Sequence, residues 1–295
     1  MKPEAITRPG IVFLGEDNFS TAALLALHES GFNLVLAISP FFANNVHKRL
    51  ENVCRQNGIP YERVADINDE QSLSRIRAAA PDLIVSVHFS RLLKKHVIAI
   101  PRLGCINLHP SLLPKYRGMA PQHWPIINGE SETGISIHYI EEGVDTGDLI
   151  VQERFPILPN EYVSEMQMRM IPEYRRLIRE AVDLVLSGRF IGIPQVGAGS
   201  YYGRLRREQC LIDVDKPRQS ILNLVRGVSR PYQGARLGKY IIWRAEVVDG
   251  AFGDTCATQD KPRGLLRRAD GSWILRARDG LLRITALEEK EECPR

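Results

Sequence analysis

Short apolar runs alternate with helix-patterned segments along the first half of the chain. The runs at residues 11–14, 34–38 and 82–87 have the length of buried strands and are bounded by glycine, proline or polar residues. Between such runs, apolar residues recur at helical spacing after residues that favour helix starts, and we expect Ser20 to cap the first helix and Asp69 a later one. This alternation predicts an α/β domain with a doubly wound, Rossmann-like and mostly parallel sheet.

The pattern changes in the second half. Residues 161–187 have helical spacing, and Pro172 near their middle predicts a kink or a break. Residues 192–200 are rich in glycine and small side chains and are expected to form a linker. After a helix predicted at 218–228, short alternating runs separated by Asp-Gly pairs are typical of β-hairpins. The later part of the chain is therefore expected to be mainly β.

A chain of 295 residues is long for one compact domain. Together with the change of pattern, its length predicts two domains. The first covers residues 1–200 and contains the parallel sheet. The second covers residues 201–295 and is smaller, with a helix and a barrel-like set of strands.

Composition narrows the class of protein. The hydrophobic content of 44% allows a sizeable core, and no apolar run approaches the roughly 18 residues that span a membrane. The N-terminus lacks the apolar stretch of a signal peptide, and the five cysteines contain no C-x-x-C pair. We therefore expect a cytoplasmic protein with no membrane partner and no bound metal.

Charge is spread unevenly. Residues 201–295 contain 19 Lys and Arg against 13 Asp and Glu, a net charge of +6, which leaves −2 for residues 1–200. Such an excess is compatible with an anionic partner such as a phosphate or a nucleic acid, and equally with a solvated basic surface.

The first strand does not lead into a nucleotide loop. The segment from Gly15 to Ser20 contains neither G-x-G-x-x-G nor the P-loop pattern. The carboxylates of Glu16 and Asp17 would also repel a phosphate there. NAD or ATP binding at this helix entrance is not expected.

Residues 104–150 contain the main candidate for chemistry. Asn107 and His109 end one apolar run, and Asp145 follows another. Each alone would more often be structural, but together they supply a neutral donor for an oxyanion, an acid or base, and a carboxylate that orients it. No Ser or Cys has a nucleophile setting and no third metal ligand has a recognisable spacing, which favours acyl transfer to a substrate amine. His88, His123 and His138 are rival histidines.

The chain resembles the 10-formyltetrahydrofolate-dependent formyltransferases in an ordered run of motifs, with weaker similarity over most of residues 10–250. These motifs are Asn107-Leu108-His109-Pro110-Ser111-Leu112-Leu113-Pro114-Lys115-Tyr116-Arg117-Gly118, Ala120-Pro121, Asn128-Gly129-Glu130, Thr133-Gly134-Ile135-Ser136-Ile137-His138 and Asp145-Thr146-Gly147-Asp148. The resemblance implies that residues 1–200 form the catalytic domain and that Asn107, His109 and Asp145 form the catalytic trio. In the mechanism expected from it, Asn107 and a protonated His109 stabilise the oxyanion and Asp145 keeps His109 charged or relays the proton.

The resemblance also implies a site for the co-substrate 10-formyltetrahydrofolate, bound largely through backbone contacts to the pterin. Its expected residues are Phe89, Arg91, Leu92, Leu93, Ile140, Glu141, Val144 and Asp145. The acceptor is expected at Ser111, Lys115, Tyr116 and Arg117.

Later motifs resemble the sugar-nucleotide branch of the family. These are Tyr201-Tyr202-Gly203-Arg204, Leu211-Ile212-Asp213, Ile221-Leu222-Asn223-Leu224-Val225-Arg226-Gly227-Val228 and Arg230-Pro231-Tyr232-Gln233-Gly234-Ala235. They imply formylation of a nucleotide-linked 4-amino-4-deoxy sugar, as in lipopolysaccharide or glycan biosynthesis. The chain departs from the commoner Gly-Thr-Pro opening at Gly15-Glu16-Asp17-Asn18.

Other functions remain open at the level of sequence. The sister branch, methionyl-tRNA formyltransferase, would use tRNA as acceptor and is the main alternative. A folate-binding protein without activity and a hydrolase that releases formate are further alternatives. The sequence does not set the oligomeric state, and a homodimer is kept as one option.

Overall fold

The computed structural model of the protein describes residues 8–41, 48–188, 190, 192–248 and 263–290. Its α-helices are α1 (Asn18–Glu29), α2 (Lys48–Gln56), α3 (Glu70–Ala78), α4 (Lys95–Ile98), α5 (His123–Ile127), α6 (Val163–Leu186) and α7 (Arg218–Val228). Its strands are β1 (Gly10–Gly15), β2 (Asn33–Pro40), β3 (Tyr61–Val64), β4 (Leu83–Val87), β5 (Cys105–His109), β6 (Arg117–Gly118), β7 (Glu132–Tyr139), β8 (Leu149–Pro156), β9 (Tyr201–Tyr202), β10 (Ala235–Leu237), β11 (Tyr240–Val247), β12 (Gly264–Arg267), β13 (Trp273–Arg276) and β14 (Leu281–Glu289).

The chain forms two compact units, each built from separate stretches of sequence. The first contains Met1–Arg117, Gly134–Arg154 and Met170–Tyr201, and the second contains Gly118–Thr133, Phe155–Arg169 and Tyr202–Arg295. A boundary after residue 200 along the linear chain stays a prediction.

The main sheet has the strand order β3-β2-β1-β4-β5-β7-β8. Strands β1 to β5 pair in parallel, and β7 pairs antiparallel with β5. The predicted α/β fold with a mostly parallel sheet is therefore confirmed. Because the chain proceeds from β1 towards β3 on one side and from β4 towards β5 on the other, the strand order reverses between β1 and β4, and ligands of such sheets bind beside that point.

Alternate residues of the parallel strands build the core of the first unit. Val12 and Leu14 of β1 pack in one cluster with Leu36 of β2 and Ile84 of β4, and Leu73 of α3 joins the same cluster. Each such side chain contributes about 1.5–3 kcal/mol when it is fully buried. The core fixes the register of the strands and therefore the positions of the polar residues at their carboxyl ends.

Helix α1 begins three residues earlier than the pattern of serine and apolar residues predicts. Its N-cap is Asp17, whose side chain accepts from the backbone N–H groups of Phe19 and Ser20. Ser20 lies at the third helical position, and its Oγ accepts from the Asp17 N–H at 2.9 Å. The prediction of Ser20 as cap is wrong because the two residues form a capping box, in which the aspartate occupies the cap.

The sequence predicts a kink or a break at Pro172, and the break is absent because helix α6 continues through this residue. Proline inside a helix costs about 3 kcal/mol. Buried Tyr174, Leu177 and Ile178 supply the apolar burial that offsets this cost in the following turns. Within the described residues, no helix is long and apolar enough to cross a membrane.

The second unit contains an antiparallel sheet with the order β10-β11-β14-β13-β12. The mainly β character predicted for this part of the chain is confirmed. Gly271 has φ +83°, the left-handed conformation that the predicted turn between β12 and β13 requires. The predicted turn at Asp279-Gly280 is also present, since the Gly280 carbonyl accepts from the Ala277 N–H at 2.9 Å.

Candidate active site

The pairing of β4, β5 and β7 brings together polar side chains of the segment 104–150. In β5, Asn107 pairs with Ser86 of β4 on one side and with His138 of β7 on the other. His109 is the last residue of β5. The loop after β7 then returns towards this edge of the sheet and carries Asp145.

The three residues proposed for chemistry lie in one cluster, together with His138. The Asp145 Oδ2 atom is 3.6 Å from His109 Nδ1, and its Oδ1 atom is 3.5 Å from His138 Nε2. Asn107 Nδ2 is 3.4 Å from His138 Nε2. His138 is thus both a strand residue and a member of the cluster, which its strand pattern alone does not reveal.

Backbone carbonyls fix the orientation of both imidazoles. His109 Nε2 lies 2.8 Å from the Tyr116 carbonyl oxygen, and His138 Nδ1 lies 2.7 Å from the Tyr139 carbonyl oxygen. A carbonyl only accepts, so each of these nitrogens carries a proton. The lone pair of neutral His109 is therefore on Nδ1, facing Asp145.

Burial disfavours the charged form of the His109 imidazole in the protein alone. Its burial lowers the pKa of the imidazole, and the nearby Asp145 carboxylate and the Tyr116 carbonyl raise it only in part. The net pKa lies below the ordinary value of 6.5. The lowered pKa favours a neutral imidazole, which can accept a proton, and the protonated His109 expected in the mechanism stays a prediction.

The loop that carries Asp145 has an unusual backbone. Asp145 has φ +53°, and Tyr116, which holds His109, has φ +61°, both in the left-handed region that non-glycine residues avoid. At Gly147 an added Cβ would lie 1.9 Å from the Tyr139 carbonyl oxygen, so only glycine fits this close approach. Such conformations persist where surrounding contacts hold them, and they are frequent at functional sites.

A cavity of about 110 Å³ opens beside the cluster. It is lined by Ser86, Phe89, Arg91, Leu92, Leu93, Asn107, His138, Ile140, Glu141, Glu142, Gly143, Val144 and Asp145. The structure therefore gathers all eight residues named from sequence for the co-substrate along one cavity. Their role in binding it stays a prediction.

The four residues expected to bind the acceptor have different surroundings. Ser111 is fully buried, and its Oγ donates to the Lys115 carbonyl at 2.7 Å. Tyr116 is also buried and holds His109 through its backbone. Lys115 is exposed, and Arg117 is half-buried with its guanidinium bonded to Gln195 and Tyr201. Their contacts to an acceptor stay predictions.

A second histidine and aspartate pair lies along the same edge of the sheet. His88 follows β4 with φ +50°, and its Nδ1 is 2.8 Å from the Asp17 Oδ2 atom. Its Nε2 is 3.5 Å from the Tyr174 hydroxyl. Because Gly15 of β1 pairs with Val87 of β4, the residues that follow these strands meet where the strand order reverses. Asp17 is 71 residues from His88, so local sequence patterns do not indicate the pair.

The charge of this pair makes its stabilisation depend on pH. Burial opposes charge on both groups, but their mutual attraction and hydrogen bond outweigh it, lowering the pKa of Asp17 below 3.8 and raising the pKa of His88 above 6.5. The His88 contribution is complete below pH 6.5 and is lost as pH rises through its raised pKa. The Asp17 contribution is complete above pH 3.8 and is lost as pH falls through its lowered pKa.

We expect Asp17→Asn to lower the free energy of unfolding by about 1.5–3 kcal/mol within that window, the range for a hydrogen bond between charged groups. Asparagine still caps a helix, so α1 is preserved. Denaturant unfolding of wild type and variant from pH 3 to pH 9 tests this, with the largest difference expected between about pH 4 and pH 6.5. A difference that does not vary with pH would contradict an ionic pair.

Other chemistry finds little support around the cluster. Cys105 is the first residue of β5 and lies two residues before Asn107, but burial raises the pKa of its thiol to about 12, so it is not a thiolate nucleophile. Within the part of the chain that the structure describes, no group of three or more His, Cys, Asp or Glu could hold a metal ion.

Family models match both parts of the chain. Residues 11–182 match the formyl transferase family, and residues 204–294 match the formyl transferase C-terminal domain. The chain belongs to the formyltransferase family. A methionyl-tRNA formyltransferase from Pelotomaculum thermopropionicum is 35% identical over 249 residues, which cover 81% of this chain and 79% of that protein.

Solved structures resemble this formyltransferase over nearly its whole length. The sugar 3N-formyl transferase WlaRD, solved in the presence of dTDP and 5-N-formyl-THF, has a TM-score of 0.72 at 18% identity, with 97% of this chain and 100% of that chain covered. The N-formyltransferase from Helicobacter canadensis, in complex with folinic acid and dTDP-3-aminofucose, has a TM-score of 0.70 at 20% identity, with 94% and 99% covered. At these identities the likeness shows a shared fold.

Proposed function

We propose that this formyltransferase moves a formyl group from 10-formyltetrahydrofolate to the amine of a nucleotide-linked amino sugar, with a 4-amino-4-deoxy sugar as the first acceptor to test. The observation that carries the formyl-transfer chemistry is the cluster of Asn107, His109, His138 and Asp145. It places an amide donor, a neutral imidazole and a carboxylate at one edge of the sheet, and it contains no nucleophile of its own. The acceptor amine therefore attacks the formyl carbon directly.

The proton and electron movements follow from the orientation of each group. As the amine nitrogen bonds to the formyl carbon, the carbonyl electron pair moves to oxygen, and the Asn107 amide donates to that developing oxyanion. His109 Nδ1 takes the proton that the amine nitrogen loses, and the adjacent Asp145 carboxylate stabilises the resulting imidazolium. The imidazolium then returns a proton to N10 as the bond from N10 to the formyl carbon breaks. The products are an N-formyl amine and tetrahydrofolate.

The cavity beside the cluster supports a folate donor. Its lining joins the loop after β4 to the loop after β7, and Phe89, Leu92 and Val144 give it apolar surface for a flat ring. Both solved relatives described above were crystallised with formylated folates. These observations support the same donor for this chain.

Charge pairing in the second unit favours a small acceptor over tRNA. Many basic side chains of residues 201–295 lie within 4 Å of a carboxylate: Arg230 and Lys290 near Glu288, Lys239 near Glu289, Arg244 near Glu165, Arg263 near Asp215, Arg268 near Asp270, and Arg283 near Glu246. Alternating charges of this kind weaken the positive potential that a phosphate backbone requires. Except for Glu165, these carboxylates are already counted in the net charge of +6, so the pairing acts by interrupting the basic surface and not by lowering the net charge.

A second candidate is methionyl-tRNA formylation. It is favoured by the 35% identity to a methionyl-tRNA formyltransferase over most of both chains. The two candidates share the formyl donor and the catalytic cluster, and they differ in the acceptor alone.

Purified protein should therefore be offered 10-formyltetrahydrofolate with either a nucleotide-linked 4-amino-4-deoxy sugar or methionyl initiator tRNA. We expect turnover with the sugar, measured as tetrahydrofolate release. The value of kcat/KM should change little with salt concentration. Formylation of the tRNA without turnover of the sugar would contradict the sugar proposal. The affinity for tRNA would then fall by about 0.9 log units per phosphate contact for each tenfold rise in salt concentration. Formate released without any amine would instead indicate a hydrolase.

A further inference from the structure

We propose that Gln195 is a positioning residue for formyl transfer, because its side chain ties the loop of Asp145 to Arg117 and to the backbone that holds His109. The inference rests on the proposed function of Asp145 and His109. Gln195 belongs to residues 192–200, which the sequence predicts to be a linker.

The amide of Gln195 is bonded on both sides. Its Nε2 donates to the backbone carbonyls of Asp145 at 2.9 Å and Gly147 at 2.8 Å. Its Oε1 accepts from Arg117 Nη2 at 2.7 Å and from Arg117 Nε at 3.2 Å. Two donated and two accepted bonds use the full capacity of a glutamine amide, so this side chain has one well-defined orientation.

The segment that carries Gln195 is itself attached on both sides. Ile193 exchanges two backbone hydrogen bonds of 2.8 Å with Leu149. At the other end, the Ser200 carbonyl accepts from the Arg117 N–H at 2.8 Å, and Ser200 Oγ accepts from the Tyr116 N–H at 2.9 Å. Residues 192–200 are therefore a strap packed on the first unit, and the linker prediction is wrong. We call them the strap.

The strap connects the two backbone segments that set the distance between His109 and Asp145. Tyr116 holds His109 Nε2 through its carbonyl, and its own N–H is held by Ser200 of the strap. Asp145 has a left-handed backbone, and its carbonyl is held by Gln195. A non-glycine residue in this conformation is strained and needs such contacts to stay in place.

Replacing the amide with an apolar side chain of similar length removes all four bonds. We expect Gln195→Met to reduce kcat by about 10- to 100-fold, since a shift of 1 Å in a reacting group can cost 100-fold, while the KM for 10-formyltetrahydrofolate changes little. Gln195→Glu distinguishes the bonds to Arg117 from the bonds to the Asp145 loop. A carboxylate still accepts from Arg117 but cannot donate to the Asp145 and Gly147 carbonyls. If the bonds to the Asp145 and Gly147 carbonyls position Asp145 for catalysis, both variants should lose a similar fraction of kcat.

The pH dependence of kcat distinguishes a positioning role of Gln195 from a purely structural one, because a purely structural role would not shift it. His109 is surrounded by the titratable groups Asp145, His138 and His88, and His88 is in turn paired with Asp17. Moving Asp145 away from His109 removes part of the attraction that stabilises the charged imidazole, so the acidic limb of kcat should shift to lower pH in Gln195→Met. Gln71→Met, on the exposed face of α3, is the matched control and should leave both kcat and the limb unchanged.

The test uses whichever of the two acceptors the wild-type protein formylates, with tetrahydrofolate release as the assay and thermal unfolding as the check on folding. A Gln195→Met variant with wild-type kcat and pH profile would overturn the inference. A lower kcat with an unchanged acidic limb would also overturn it, since it would indicate loss of structure alone. If wild type releases tetrahydrofolate with neither acceptor, the proposed function fails. Asp145→Asn is measured in parallel: if that variant is fully active the proposed role of Asp145 fails, and if it is inactive while Gln195→Met is normal only the role of Gln195 fails.

Discussion

His109→Ala should lower kcat by about 100- to 10,000-fold, the range associated with losing a positioned acid or base. The His109 imidazole is buried, and the lone pair on its Nδ1 faces Asp145. His138 lies in the cluster, but its Nε2 faces Asn107 and Asp145 from the opposite strand. The measurement is the steady-state rate of tetrahydrofolate release at saturating donor.

Folding has to be separated from catalysis in this variant, since removing a buried side chain also leaves the Tyr116 carbonyl without its donor. His109→Gln serves as a second variant, because an amide can still donate to that carbonyl but cannot accept a proton at neutral pH. His96→Ala, an exposed histidine of α4, is the control. Turnover close to wild type in His109→Gln, with normal thermal unfolding, would eliminate His109 as the base.

The fold follows from local patterns for clear physical reasons. Buried parallel strands need continuous apolar runs, and the helices between them need apolar residues at helical spacing, so both signals are visible along the chain. The cap of α1 is harder to predict because Asp17 and Ser20 are both good caps and lie three residues apart. The capping box decides between them through two reciprocal hydrogen bonds.

The grouping of Asn107, His109 and Asp145 was predictable because polar residues at or after strand ends meet at one edge of a sheet. Asn107 and His109 end β5, and Asp145 follows β7, and the structure brings these three together. His138 is one of the three rival histidines in the sequence, and its position in an apolar run is typical of a strand residue. The antiparallel pairing of β7 with β5 sets it opposite Asn107, and only that pairing reveals its place in the cluster.

Long-range hydrogen bonds account for what the sequence did not reveal. Gln195 reaches Asp145 across 50 residues and Arg117 across 78, and its surroundings in sequence are glycine and small residues that suggest a linker. His88 reaches Asp17 across 71 residues. Side chains whose role is to join distant segments have no periodicity of their own, so they emerge only once the strand order is known.

Asp145→Asn is expected to reduce kcat by about 100- to 10,000-fold while leaving the backbone of its loop in place. Asparagine has the same shape as aspartate, and Gln195 contacts the carbonyl of residue 145, which the substitution retains. The variant therefore removes the negative charge with little other change. Without that charge, the imidazolium that forms when His109 takes the amine proton is stabilised less.

The pH dependence of this variant distinguishes two mechanisms. Burial lowers the pKa of His109, and the Asp145 carboxylate partly offsets that effect, so its removal lowers the pKa further. If neutral His109 is the reactive form, activity is lost as pH falls through this pKa, and the acidic limb of kcat moves to lower pH in Asp145→Asn. If protonated His109 is the reactive form, activity is lost as pH rises through the same pKa, and the alkaline limb moves to lower pH instead.

Profiles of kcat for wild type, Asp145→Asn and the exposed control Asp183→Asn, measured from pH 5 to pH 9 at fixed ionic strength, decide between these outcomes. We expect the first outcome, because His109 Nε2 is committed to the Tyr116 carbonyl and the lone pair of neutral His109 is on the side of Asp145. An unshifted profile together with undiminished kcat would mean that Asp145 and His109 do not act together. In that case the neutral imidazole would have to work without a carboxylate, and the strained backbone at Asp145 would have no catalytic purpose.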